Sequence, residues 1–165
     1  MKPAGEATAH DGGSEMIYLL AIILIGIDQW TKYLAYTKLR PIGTFGLIDG
    51  LIGLRYTENR GAAFSILQGQ QIFLVAVSAI VSLFLIYLIL RAKRRKLPVA
   101  VRFAYGVLLA GAVGNLIDRL MRGYVVDFLE FQWISFPVFN VADMYVTGAA
   151  VLIGALLLLF KTELY

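Results

Sequence analysis

Four long apolar stretches dominate this sequence and restrict the chain to folds that sit in a lipid bilayer. They cover about residues 16–37, 71–90, 99–121 and 138–160. Each is close to the roughly 20 residues that a helix needs to cross the hydrocarbon core. Hydrophobic residues make up 59% of the chain and charged residues only 16%, whereas about a quarter of a soluble domain is charged. We therefore predict four transmembrane helices within a single membrane domain, residues 16–165.

The first fifteen residues differ from the rest because they are small, polar and without periodicity. Such a segment cannot bury enough apolar surface to become ordered, so residues 1–15 are predicted to be a disordered tail. The apolar stretch that follows could instead be the core of a cleavable secretory signal. However, Glu6, Asp11 and Glu15 precede it with a single lysine, whereas a signal peptide begins with positive charge. We therefore favour a retained first helix.

Positive charge gives the orientation of the helices. The densest basic run directly follows the second apolar stretch and consists of Arg91, Lys93, Arg94, Arg95 and Lys96. Charge of this kind holds a loop in the cytoplasm. We interpret it as a topology signal, and we expect no nucleic-acid partner despite the net charge of +4. Four spans then place both termini in the cytoplasm, and residues 38–70 and 122–137 on the outer side.

The outward segment 38–70 contains Pro41 and many glycines, and its stretch LIGLRYTENR alternates partly between apolar and polar β-formers. This pattern fits short strands at the membrane surface. The predicted fold class is therefore a membrane all-α protein with a small β element.

Composition excludes several kinds of chemistry. The chain has no cysteine, which rules out disulfides, iron–sulfur clusters and cysteine nucleophiles. Its one histidine, His10, leaves no histidine cluster for zinc. We expect neither a metal nor another cofactor.

Ionisable residues inside an apolar helix cost about 2.5–3.5 kcal/mol on insertion scales, so each is a candidate functional residue. Asp28 and Lys32 lie four residues apart on one helix face, with the acid before the base, which favours an ion pair. A structural pair is the simpler interpretation. Lys32 could instead be the base of a Ser–Lys peptidase pair. The candidate serines, none of them in a recognisable catalytic motif, are Ser65, Ser78, Ser82 and Ser135.

Two further polar groups have both a structural and a functional interpretation. Asn59 and Gly61 lie in NRGAAF, just before the second span, and indicate either a turn or a loop that lets a substrate approach the backbone. In AGAVGNLIDR, Asn115, Asp118 and Arg119 share one helix face. Neighbouring glycines allow close helix packing there, so we expect this group to support a site rather than to carry its chemistry.

Two acidic residues could meet at the outer interface. Asp127 lies in GYVVDF, in the loop beyond the third span, and Asp143 lies three residues after Asn140 near the start of the fourth. Two carboxylates about 3 Å apart cannot both ionise, so one can activate a water while the other polarises a carbonyl. Taken alone, Asp127 could be a solvated loop acid, and Asn140 with Asp143 could cap a helix. Spacing alone favours these structural interpretations.

Five sequence blocks, read in order, resemble those of the lipoprotein signal peptidase family, also called signal peptidase II. They are DQWTK at 28–32, ENRGAAF at 58–64, AGAVGNLIDR at 110–119, VVDF at 125–128 and FNVAD at 139–143. The resemblance implies a four-helix membrane bundle with a small extracytoplasmic β-cradle, in which Asp127 and Asp143 form the catalytic pair of an aspartyl endopeptidase. It also associates further residues with shaping or stabilising the site, namely Asp28, Lys32, Asn59, Gly61, Asn115, Arg119 and Asn140.

The resemblance further implies the substrate and the location. The substrate would be a prolipoprotein whose cysteine carries diacylglyceryl, cleaved just before that cysteine, with the acyl chains in membrane lipid between the helices. The antibiotic globomycin is an inhibitor of the family that occupies the same site. The chain would act as a monomer in the bacterial cytoplasmic membrane, with its active site toward the outer face.

Two other classes of protein stay open on the residues alone. A small transporter or channel would place its charges near the membrane midplane and would carry internal repeats, and no such repeat is evident. A membrane scaffold would use its polar groups only to hold helices together.

Overall fold

The computed structural model describes residues 12–62 and 66–159. Within these residues there are four long helices, each apolar and long enough to cross a membrane. They are α1 (Gly12–Leu34), α2 (Gln71–Arg94), α3 (Val99–Arg122) and α4 (Val141–Leu159). A π-helical turn, Ala35–Leu39, continues α1. The four predicted spans are confirmed.

Three of the differences between the observed and the predicted helix boundaries have a local reason. α1 begins at Gly12, inside the predicted disordered tail, because extending an existing helix is far easier than nucleating one; residues 1–11 of that tail lie outside the described part. α2 continues past residue 90 to Arg94, since cations are favourable in a last turn. α4 begins at Val141 rather than at residue 138, because Asn140 caps it from outside the helix.

The central helix is α3, which packs against each of the other three. Small residues make this possible, because a side chain at several of its positions would collide with a neighbour. A Cβ at Gly106 would lie 2.7 Å from Ile17 Cγ2, and one at Gly111 would lie 2.5 Å from the Ala142 carbonyl oxygen. Large apolar residues such as Ile72 are exposed on the outer surface. Small residues inside and large apolar ones outside are the pattern of a membrane bundle.

A three-stranded antiparallel sheet completes the described fold, in the order β1 (Thr44–Ile48), β2 (Ile52–Asn59) and β3 (Val125–Phe131). The expected small β element is confirmed. The predicted position of Asp127 in a loop is wrong, because Asp127 lies in β3 opposite Thr57. The strand β3 forms by pairing with β2, which precedes it by two helices. Strand formation depends on such partners more than on the local sequence.

The sheet packs against the end of the bundle that carries the polar residues. Ala35 and Leu39 of the π-helical turn contact Val126 and Phe128 of β3 in one buried cluster. Chain order places this cluster where α1 and α3 end and where α2 and α4 begin. The basic run 91–96 lies at the opposite end, between α2 and the start of α3. The sheet and the basic run therefore occupy opposite ends of the bundle.

Candidate active site

Asp127 lies in the middle of β3 and is almost completely buried, with 2% of its surface exposed. Its two carboxylate oxygens accept hydrogen bonds from two asparagine side chains. Asn140 Nδ2 donates to Oδ1 at 2.7 Å, and Asn59 Nδ2 donates to Oδ2 at 3.0 Å. Asn59 is the last residue of β2, the strand that pairs with β3. Strand pairing and the start of α4 together fix this carboxylate.

Asp143 lies in the first turn of α4 and exchanges hydrogen bonds with Asn140, the residue before the helix. The Asp143 backbone N–H donates to Asn140 Oδ1 at 2.9 Å, and the Asn140 backbone N–H donates to Asp143 Oδ2 at 3.1 Å. This reciprocal arrangement is a capping box, built from Asn and Asp instead of the usual Ser or Thr with Glu or Gln. The predicted cap is confirmed, and it orients the Asp143 carboxylate.

Two asparagine side chains join the two carboxylates into one network. Asn140 Nδ2, which donates to Asp127, also donates to Asn115 Oδ1 at 3.2 Å. Asn115 Nδ2 donates to Asp143 Oδ1 at 2.8 Å, and Lys32 Nζ donates to Asn115 Oδ1 at 2.9 Å. The structure thus brings Asp127 and Asp143 into one polar network, one from a strand and one from a helix. The Lys32 ammonium group is connected to this network through the side-chain amide of Asn115.

Burial, and next the negative charge of Asp143, raise the pKa of Asp127 from its ordinary value of 3.8 to about 7. The hydrogen bonds from Asn140 and Asn59 lower this pKa, because they stabilise the anion. A carboxyl group with a pKa near 7 is present in both protonation states at neutral pH. The acidic pair can therefore retain a proton under conditions in which ordinary carboxyl groups have lost theirs.

A second buried cluster surrounds Lys32, whose side chain is completely buried. Lys32 Nζ lies 2.9 Å from Asp28 Oδ2 and 3.3 Å from Asp118 Oδ2, and both acids are also completely buried. The predicted Asp28–Lys32 ion pair is confirmed, with Asp118 as a third member. Asp28 Oδ1 also accepts the Ala142 backbone N–H at 2.9 Å, which joins α1 to the first turn of α4.

The surroundings of Lys32 argue against its acting as the base of a Ser–Lys pair. Among the residues that the structure describes, its ammonium group contacts Asp28, Asp118 and Asn115. None of these is a serine. Ser82 donates to the Ser78 carbonyl oxygen within α2, and Ser65 lies outside the described residues.

Asp118 was expected, together with Asn115 and Arg119, to play a supporting role, although the family resemblance did not include it among the site residues; its contacts fit that role. Its Oδ2 accepts the backbone N–H of Val126, the residue before Asp127, at 3.0 Å. Its Oδ1 forms an ion pair with Arg122, one turn later in α3. Asp118 thereby attaches β3 to α3 directly beside Asp127. The sequence signal for this role was that Asp118 shares a helix face with Asn115. The sequence could not show which backbone group Asp118 binds, because that group belongs to a strand outside the helix.

Gly114 contacts the Lys32 cluster, and we expect a side chain there to disturb it. A Cβ at Gly114 would lie 2.5 Å from Asp28 Oδ2, which the Lys32 ion pair holds in place. Gly114→Ala should therefore lower the free energy of unfolding by about 1–3 kcal/mol. Gly154→Ala is the matched control, since a Cβ there meets nothing within 4 Å. Thermal unfolding in detergent measures both; equal midpoints for the two variants would contradict the tight contact.

Arg119 holds the chain that follows β2. Its Nη2 donates to the Gly61 carbonyl oxygen at 3.1 Å, and the Gly61 N–H donates to Asn59 Oδ1 at 3.0 Å. Asn59, Ala62 and Arg119 also line a cavity. The segment therefore turns, and it also forms part of a cavity wall; that a substrate approaches its backbone stays a prediction. Residues 63–65 of the same block lie outside the described part.

The cavity has a volume of about 1030 Å³ and lies between the sheet and the helices α2, α3 and α4. Asp127, Asp143, Asn115 and Arg119 are among the polar residues that line it. Its apolar walls are formed by Leu74, Val77, Val125, Phe131, Phe136, Val138, Phe139, Met144 and Val146. The remaining expected site residues stand behind this lining and are Asp28, Lys32, Gly61 and Asn140. Residues 12–62 and 66–159 contain no group of three His, Cys, Asp or Glu side chains placed to hold a metal.

Comparison with known proteins decides the family. A sequence model described as signal peptidase (SPase) II matches residues 20–160. The chain belongs to this family. It is therefore a membrane peptidase that acts on signal peptides, and the resemblance carried by the five blocks is confirmed. Membership of a peptidase family also sets aside the transporter and scaffold interpretations.

Relatives of the signal peptidase II family match most of the chain. The lipoprotein signal peptidase of Caldanaerobacter subterraneus subsp. tengcongensis is 40% identical over 144 residues, which are 87% of this chain and 96% of the relative. That of Gloeothece citriformis is 48% identical over 130 residues, 78% of this chain and 80% of the relative. A bacterial membrane enzyme solved by the in meso method at 2.3 Å resolution has a TM-score of 0.79 and 32% identity, covering 94% of this chain and 93% of that one.

Proposed function

We propose that this chain is an aspartyl endopeptidase that removes the signal peptide from prolipoproteins, by hydrolysing the bond before a diacylglyceryl-modified cysteine. Asp127 and Asp143 are its catalytic pair. The observation that carries the proposal is that both carboxylates line one cavity and are joined through Asn140. The relatives named lipoprotein signal peptidase support prolipoproteins as the substrate class.

Peptide hydrolysis by this pair needs one ionised and one protonated carboxyl group. The ionised group takes a proton from a water molecule as the water oxygen attacks the carbonyl carbon, and the protonated group donates its proton to the carbonyl oxygen. The carbon–nitrogen bond of the resulting gem-diol then breaks, and the leaving nitrogen takes a proton from the pair. The raised pKa of Asp127 supports this mechanism, because it retains the required proton near neutral pH. That proton belongs to the pair rather than to one residue.

The cavity fits a substrate that combines a peptide with acyl chains. Its apolar surface includes Val77 of α2 and Val146 of α4, and both helices are membrane spans. Acyl chains would lie against these two helices. Arg55 and Thr57 of β2 line the cavity on the side of the sheet, where the peptide would lie. Asp127 and Asp143 would then face the bond between the lipidated cysteine and the signal peptide.

The proposed location is the bacterial cytoplasmic membrane, with the active site toward its outer face. Positive charge keeps the run 91–96 in the cytoplasm, and the sheet is at the other end of the bundle. Both termini are then cytoplasmic. One chain supplies every residue of the proposed site, so a monomer is sufficient.

Cleavage of one prolipoprotein with and without its diacylglyceryl group tests the function. We expect the purified chain to cleave the lipidated form just before the cysteine, and the unlipidated form roughly 100-fold more slowly, because binding of the acyl chains positions the peptide bond. Mass spectrometry of the products gives both the rate and the cleaved bond. Equal rates for the two forms would mean that the enzyme does not recognise the diacylglyceryl group on the cysteine, which would contradict that part of the proposal.

A globomycin-type inhibitor gives a second readout of the same proposal, without turnover. A ligand of the native state stabilises it by about 2.7 kcal/mol at a hundredfold excess over its Kd. The unfolding temperature should therefore rise with the concentration of inhibitor. The absence of any rise at saturating inhibitor would count against this site as the place of binding.

The raised pKa of Asp127 predicts how activity depends on pH. Above about pH 7 the pair loses its remaining proton, so kcat/KM should fall on the basic side of the profile. Asn59 stabilises the Asp127 anion, and Asn59→Ala should therefore move the basic midpoint to a higher pH. Profiles of kcat/KM against pH for the parent and the variant check this. A midpoint that stays in place or moves lower would contradict the role of Asn59.

A further inference from the structure

A second cavity, of about 570 Å³, lies at the end of the bundle opposite to the acidic pair. It is formed by the end of α2, the start of α3 and the short connection between them. Its lining consists of Leu90, Lys93, Arg94, Lys96 and Arg102. Four of these five residues are basic, so the cavity is suited to an anion.

Lys96 occupies a backbone conformation in which glycine is usual. Its φ is +53°, in the left-handed region. The Leu97 N–H donates to the Ala92 carbonyl oxygen at 3.0 Å, and the Lys96 N–H donates to that of Lys93 at 3.1 Å. These two bonds form a Schellman motif, whose left-handed residue is most often glycine. The chain therefore has a cation at a position where the backbone alone favours glycine.

Arg102 gives the cavity a buried inner surface, because only 9% of this residue is exposed. Lys93, Arg94 and Lys96 are exposed around it. A guanidinium group can donate two parallel hydrogen bonds to phosphate oxygens, and lysine side chains add mobile positive charge. The cavity also adjoins the first turn of α3, the positive end of that helix.

The surface next to this cavity is apolar. Leu90 lines the cavity and is exposed, and Val99 and Phe103 are exposed at the start of α3. Both helices are membrane spans, so these side chains are placed to contact acyl chains. A ligand with an anionic head and hydrocarbon tails would use both surfaces, whereas a free phosphate would use only the basic one.

We propose that this cavity binds the phosphodiester headgroup of an anionic phospholipid, with its acyl chains along Leu90 and Phe103. Basic pockets between membrane spans are suited to such headgroups. A general attraction of the whole basic run to the membrane would involve Arg91 and Arg95 equally, yet neither of them lines the cavity. The proposal therefore predicts that substitution of the cavity-lining basic residues weakens lipid binding, whereas substitution of Arg91 and Arg95 in the same segment does not.

Native mass spectrometry of the full chain in detergent tests the proposal, with phosphatidylglycerol as the probe. The parent should retain phosphatidylglycerol in preference to phosphatidylcholine with the same acyl chains. In Lys93→Gln/Lys96→Gly two cavity cations are lost, while glycine suits the left-handed turn. Binding should become about 25-fold weaker, the effect of two charges at a lipid surface. The control Arg91→Gln/Arg95→Gln loses the same charge outside the cavity and should bind as the parent does.

Three results would overturn this inference. Equal losses in both double variants would mean that the attraction is diffuse. No preference for phosphatidylglycerol in the parent would mean that the cavity does not recognise an anionic headgroup. Displacement of phosphatidylglycerol by an equal concentration of inorganic phosphate would mean that the ligand is the free anion and not the lipid. If the double variant fails to fold, Lys96→Gly alone, which keeps the Schellman motif, should weaken binding about 5-fold.

Discussion

Asp127→Asn and Asp143→Asn should each lower kcat by roughly 10³- to 10⁴-fold while leaving the protein folded. Asparagine has nearly the same shape as aspartate, but its amide can neither take a proton from water nor supply one to a carbonyl oxygen. After either substitution a single carboxyl group remains, and it cannot be acid and base in the same step. The expected loss is therefore similar for the two variants, although one residue lies in a strand and the other in a helix.

Each of these substitutions also has a local effect on stability. Both oxygens of Asp127 accept from amide donors, Asn140 Nδ2 and Asn59 Nδ2. The side-chain amide in the Asp127→Asn variant would have one oxygen and one NH₂ group. One of the two asparagine donors would therefore face that NH₂ group instead of an acceptor. An unsatisfied buried group costs about 1–3 kcal/mol. The unfolding temperature should fall, and activity must be compared at a temperature at which both proteins are folded.

The matched control for the catalytic pair is Asp49→Asn, which makes the same chemical change at an exposed acid between β1 and β2. Its turnover of a lipidated prolipoprotein should equal that of the parent. Quantifying the released signal peptide by mass spectrometry, together with thermal unfolding, separates lost catalysis from lost structure. If a folded Asp127→Asn or Asp143→Asn variant worked within about tenfold of the parent rate, the pair would not be catalytic.

The membrane spans were predictable because the constraint on them is local. In hydrocarbon a segment must satisfy its own backbone hydrogen bonds, so a long apolar stretch indicates a helix without reference to the rest of the chain. The strand β3 had no such signal. Its backbone is paired by β2 and attached to α3 by Asp118, and neither contact can be inferred from VVDF itself. Asp127 was therefore predicted in a loop.

Local contacts of the site were likewise easier to predict than distant ones. The Asp28–Lys32 pair and the Asn140–Asp143 cap both lie within four residues, and both are present. The connection from Lys32 through Asn115 to the acidic pair joins three helices. It depends on how closely α1, α3 and α4 approach one another, which is set by packing at positions such as Gly114.

Lys32→Met should cause the largest loss of stability among single substitutions in the Lys32 cluster, about 3–5 kcal/mol. The ammonium group lies between the fully buried carboxylates of Asp28 and Asp118. Methionine fills nearly the same space, so the variant mainly removes charge and leaves two buried acids without the cation between them. Chemical or thermal unfolding in detergent measures the loss. Lys38→Met is the control, since Lys38 is exposed in the π-helical turn that continues α1, and it should change stability by no more than about 0.5 kcal/mol.

Lys32→Met should also lower the kcat of the protein that remains folded. Lys32 Nζ donates to Asn115 Oδ1, and Asn115 Nδ2 donates to Asp143. Without Lys32, Asn115 Oδ1 keeps only the longer hydrogen bond from Asn140 Nδ2, so the orientation of the amide is held less firmly. Because Lys32 does not line the cavity, kcat should fall while KM changes little. Asp28→Asn added to Lys32→Met should recover part of the stability, since the remaining acid, Asp118, keeps its ion pair with Arg122, but it should not recover the kcat. Recovery of both would mean that Lys32 acts on the acidic pair only through folding.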